Sequence, residues 1–119
     1  MKNNINILGT KYAIIFKDDE EVCKDMGVPV GECGGYCNAY NHNIVIARLD
    51  KCEDGDIVRE ALQKESMRHE ITHAFLNESG LSANANSTEC LANNEEMVDW
   101  FAIQSPKIYK AFAELDILE

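Results

Sequence analysis

Two histidines four residues apart, His69 and His73, bracket a glutamate in the segment His69-Glu70-Ile71-Thr72-His73. Residues at that spacing share one face of a helix, so both imidazoles project the same way and can hold one metal ion. Glu70 lies about 100 degrees round from His69, beside such a metal. A carboxylate there takes a proton from metal-bound water, which makes His69 and His73 candidate ligands and Glu70 the candidate general base of a metal hydrolase. Helical phase agrees, because Met67, Ile71 and Phe75 form an apolar stripe on the opposite face. That stripe packs while the histidines face a cleft.

A tetrahedral zinc site needs a further protein ligand. Downstream, Asn94-Glu95-Glu96-Met97-Val98-Asp99 sets Glu95 and Asp99 four apart on one helical face. Glu95 is the expected third ligand. Asp99, one turn along, is expected to accept the second ring N–H of His69 and so fix its tautomer and orientation.

With both segments on one chain, the sequence resembles the gluzincin metallopeptidases, whose thermolysin-like members carry H-E-x-x-H on one helix and N-E-x-x-x-D on the next. The resemblance covers residues 69–101. It implies one Zn²⁺ per chain held by His69, His73 and Glu95, with Glu70 as catalytic base, Asp99 behind the ligands, and hydrolysis of a peptide or protein substrate. By size, and in the phrases HEITHAFLNESG and EEMVDWFA, the chain is also similar to small phage- or prophage-encoded zinc-peptidase-like proteins. Their layout is that of the ImmA/IrrE-like metallopeptidases, a short sheet followed by the motif helix. The E-A-N signature of their second helix is absent, which leaves Glu89 and Glu96 as weaker alternative ligands. Glu96 also suits a capping box with Asn93. Glu95 is preferred because it pairs with Asp99 at the family spacing. The same donors accept iron, cobalt or manganese, and zinc is what the resemblance implies.

No downstream histidine is available as the electrophile of the thermolysin-like enzymes, since His42 lies upstream. Tyr36, Tyr40 and His42 are candidates for that role, against the commoner use of strand tyrosines in packing. Trp100 and Phe101 read as core aromatics. Arg68 reads equally as a surface cation or a clamp for a substrate carboxylate.

These groups need elements to hold them. Residues 5–16 read as one strand, interrupted near Gly9, followed by an acidic loop at 18–21. A glycine-rich connection covers 27–35, and 36–40 with 43–48 flank a turn as a hairpin, the run 44–47 being the clearest strand. Strand 43–49, if at the sheet edge, would pair with a substrate backbone. Residues 57–77 lack Gly and Pro and read as the motif helix, stopped at Gly80. A second helix is expected over 94–104, with Ser105-Pro106 opening a last one over 107–115. Strands first and helices after them predict an α+β fold. The resemblance narrows this to a minimal zincin-like domain over residues 1–119.

Composition agrees with a single globular domain: 119 residues, 45% hydrophobic, 27% charged, two prolines. A net charge of −10 repels phosphate backbones and anionic lipid, so neither nucleic acid nor membrane is an expected partner. Residues 1–6 lack the apolar core of a signal peptide, giving a cytoplasmic expectation. Five cysteines, an odd number, suit free thiols better than a disulfide framework. A structural site from Cys33, Cys37, His42 and Cys52 is a minor alternative. Against the enzyme stands a zinc-stabilised binding or assembly protein without turnover. Glu70 decides between them, because coordination alone has no use for it.

Overall fold

The computed structural model describes residues 3–31, 33–80 and 95–119, without the side chains of 95, 96, 98, 99 and 102. Along the chain run β1 (Asn4–Ile7), β2 (Thr10–Lys17), α1 (Asp19–Met26), β3 (Gly35–Asn38), β4 (Asn43–Ala47), α2 (Asp56–Glu78) and α3 (Glu95–Glu114). The strands form one mixed sheet in the order β1-β2-β4-β3, with β2 and β4 parallel and the outer pairs antiparallel. The class is α+β.

Residues 5–16 are two strands rather than one. Leu8 and Gly9 both take positive φ, 52° and 96°. A type I′ hairpin turn requires this at its two central residues, and Asn6 Oδ1 accepts the Gly9 N–H at 2.8 Å. The hairpin expected from 36–40 and 43–48 is present as β3 and β4. However, β4 is not an edge strand, since it lies between β2 and β3. Ile44, Val45, Ile46 and Ala47 are each at most 1% exposed, so both faces of β4 are covered, which explains its unbroken apolar run. Among the described residues, the edge strand on that side is β3.

Strand alternation sends Ile44 and Ile46 into the main core with Ile5, Ile7, Tyr12 and Ile14, beneath Met67, Ile71, Ala74 and Phe75 of α2. Val45 and Ala47 join a smaller cluster with Val22 of α1. That cluster accounts for the helix where an acidic loop was expected at 18–21. Val22 and Cys23 are buried, and Asp19, Glu20 and Glu21 occupy the first turn, where the helix dipole favours carboxylates. Gly27, at φ 68°, closes α1 in the left-handed conformation that glycine adopts without strain.

The two helices expected on either side of Ser105-Pro106 are a single helix, α3, with Pro106 inside it. Proline supplies no N–H to the carbonyl four residues earlier. The helix continues because Trp100, Gln104, Ile108, Ala111 and Leu115 are all buried at spacings of three and four, a stripe that spans the proline. The exposed Pro106 lies off that stripe.

The far end of α2 is tied to the first hairpin. Glu78 accepts from Thr10 Oγ1 and from the Tyr12 hydroxyl, both at 2.7 Å. These bonds, Tyr12 first, hold the Glu78 carboxyl below its ordinary value. Burial and the same carboxylate push the Tyr12 phenol well up. A carboxylate with a lowered folded pKa contributes stability above its unfolded pKa and loses it as pH falls through the folded value. Tyr12→Phe is therefore expected to cost about 1–2 kcal/mol at neutral pH. The deficit should shrink in acid, as read by chemical denaturation across pH, and a deficit independent of pH would contradict the Glu78 bond as its source.

Candidate metal centre

The sheet fixes which way the motif points. With Met67, Ile71, Ala74 and Phe75 at most 2% exposed against the strands, the 3.6-residue turn leaves His69 and His73 on the outer face. Their Nε2 atoms stand 3.1 Å apart, with ring centroids at 4.8 Å and an interplanar angle of 64°. Two nitrogens bound at about 2.0–2.1 Å to one tetrahedral zinc are separated by roughly 3.3 Å, so the imidazoles already converge to nearly that spacing. Ligand atoms of His69, Glu70 and His73 all lie within 4.8 Å of one another. The donor set and its spacing fit zinc.

Glu70 sits at the seam between the buried and exposed faces, only 7% exposed. Burial raises its pKa, with His69 opposing. No hydrogen bond to its carboxyl is present among the described residues. Its charge is felt by Cys37 on β3, whose thiol is pushed up to about 11 by burial first and then by Glu70 and Glu78. Partial loss of water around its ring, with the charge of His69 adding, lowers the pKa of His73 and favours the neutral imidazole that binds metal.

Two hollows flank His69. One, of about 290 Å³, lies between α2 and the chain entering β3, lined by Cys33, Gly34, Gly35, Ser66, His69 and Glu70 among others. Gly34 allows that close approach, and Gly35 allows one to β4. A Cβ on Gly34 would stand 2.6 Å from Ser66 Oγ, and one on Gly35 2.4 Å from the Val45 carbonyl oxygen. The second hollow, of about 430 Å³, lies towards α3, with Thr72, Leu76 and Phe112 in its walls beside both histidines. The Gly34-Gly35 doublet and Ser66 are site residues that sequence reasoning missed. The doublet was the available signal, though glycines in a loop read first as turn formers.

Glu95 and Asp99 fall on the first turns of α3, and their side chains lie outside the described residues. Trp100 Nε1 donates to Ser79 Oγ at 2.6 Å. Arg68 and Lys64 donate to the carbonyls of Ile117 and Glu119, both at 2.5 Å. Helix α3 therefore runs back along α2. Glu89 and Asn93 also lie outside the described residues, as does the Glu96 side chain.

None of the three electrophile candidates lines either hollow. Tyr36 donates to Asp25 Oδ2 at 2.8 Å, Tyr40 is 97% exposed on the turn after β3, and His42 packs at a tilt of 54° against Tyr12, ring centroids 5.3 Å apart. Trp100 is buried as expected. Phe101 is not, at 61% exposed, because it falls outside the stripe that Trp100 shares with Gln104 and Ile108. Cys23, Cys33, Cys37 and Cys52 are free, and among the described residues the cysteines join no metal-ligating cluster. Among those residues no helix is long and apolar enough to cross a membrane. No family model, curated protein or solved structure matches the chain.

In metal-free protein, His73 is expected to titrate below the ordinary histidine value when followed by NMR. Zinc should abolish the titration of His73 over the neutral range, since a coordinated ring stays neutral. A His73 titrating at or above the ordinary value, or unaltered by zinc, would contradict this account.

Proposed function

We propose that the protein is a zinc-dependent peptidase, with Glu70 as general base. The observation that carries the reading is a buried carboxyl without a hydrogen bond among the described residues, set beside two imidazole nitrogens 3.1 Å apart. Burial raises the pKa of this carboxyl, and a general base works best when its pKa lies near the operating pH, where it both accepts and returns a proton.

His69 and His73 would hold the metal, with Glu95 as the third ligand and Asp99 orienting His69. A zinc ion bound there supplies Lewis acidity, polarising the peptide carbonyl and making water acidic enough to attack at neutral pH. Glu70 accepts the proton of the attacking water as its oxygen bonds to the carbonyl carbon. It then returns that proton to the amide nitrogen as the C–N bond breaks. The hollow between α2 and β3 contains Glu70 and opens at an edge strand, so an extended peptide laid along β3 would present its carbonyl to this carboxylate.

The test is Glu70→Gln, which keeps the size of the side chain and removes the base. Zinc content should stay at the wild-type level, while cleavage of a mixed peptide library, read by mass spectrometry, falls by at least about a hundredfold. Cleavage at the wild-type rate by the variant, or none by the zinc-loaded wild type, would overturn the reading.

A further inference from the structure

The hollow between the histidines and α3 has a polar end that the reaction does not use. Its walls are the apolar Leu76 and Phe112 with Thr72, and Arg68 stands at its margin one residue before His69. The chain has three arginines. Arg48 pairs with Asp18 at 2.7 Å and Arg59 with Asp56 at 3.0 Å. Arg68 alone has no carboxylate partner among the described residues, although acidic residues outnumber basic ones by ten. One of its terminal nitrogens donates to the Ile117 carbonyl, which holds the guanidinium in place and leaves further N–H groups of its fork free of protein partners among the described residues. Glu65 also borders the hollow, exposed and without an ion pair to Arg68.

We propose that Arg68 anchors a carboxylate of the substrate. The peptides taken, on the peptidase reading above, carry an apolar side chain that fills the hollow and a carboxylate next to it. A fixed, planar guanidinium recognises a carboxylate through two parallel hydrogen bonds, whereas a lysine offers only a point charge. The carboxylate comes either from the peptide's C-terminus or from an acidic side chain, and both present the same two oxygens.

Binding can be measured without turnover, so this inference stands or falls separately from Glu70 and cleavage. The full chain, labelled with ¹⁵N, is titrated with three blocked dipeptides: acetyl-Leu-Leu with a free C-terminus, its C-terminal amide, and acetyl-Leu-Asp amide. The backbone amides of Arg68, Thr72, Leu76 and Phe112 are followed by NMR. At least one carboxylate peptide should bind about tenfold more tightly than the neutral amide, and which one does so identifies the source. Arg68→Gln should erase that difference and Arg68→Lys restore part of it. Because Arg68 also holds Ile117, Leu76→Ala serves as a second variant, expected to weaken all three peptides without changing their order. Equal affinity for the three peptides, or no shift at these four amides, would overturn the proposal.

Discussion

One face of α2 must be buried on the sheet, and the positions of His69, Glu70 and His73 follow from that. Met67, Ile71 and Phe75, each at most 2% exposed, contribute about 1.5–3 kcal/mol apiece by leaving water. A rotation of α2 by a single residue would expose part of that stripe and carry His69 towards the strands. The apolar phase of the helix and the outward direction of the imidazoles are therefore one constraint. The tie from Glu78 to Thr10 and Tyr12 fixes the same helix at its far end.

Glu70 is where burial and chemistry conflict. The stripe turns it partly inward, beside the chain entering β3, and the stabilisation from neighbouring apolar side chains outweighs the cost of taking a carboxyl largely out of water. The chain answers with small residues, since Gly34 and Gly35 let the strand come close while leaving a hollow in front of Glu70. Larger side chains there would push β3 from Ser66 and from the Val45 carbonyl. The result is a carboxyl that is shielded on one side and open to the hollow on the other, as the proposed base requires.

Much of this was legible in the residues. The motif helix expected over 57–77 is Asp56–Glu78, and the outward histidines follow from the spacing of Met67, Ile71 and Phe75. The β3–β4 hairpin was marked by its turn residues. Other features needed tertiary information. Helix α1 forms from an acidic segment because Val22 meets the back of the sheet, a contact that local composition does not reveal. Pro106 reads as a helix start, yet the buried positions on either side of it share one stripe. The central place of β4 depends on β2 and β4 pairing in parallel across two intervening elements, which no local pattern announces. Glu95 and Asp99 remain legible as a motif, on the first turns of α3, with their side chains outside the described residues.

The central claim is that the His69–His73 pair is a metal site, and elemental analysis of the purified protein tests it most directly. After exposure to zinc and removal of the excess, the wild type should retain about one zinc per chain, with His73→Ala retaining almost none. A wild type that holds no metal, or a variant that holds as much as the wild type, would contradict the account.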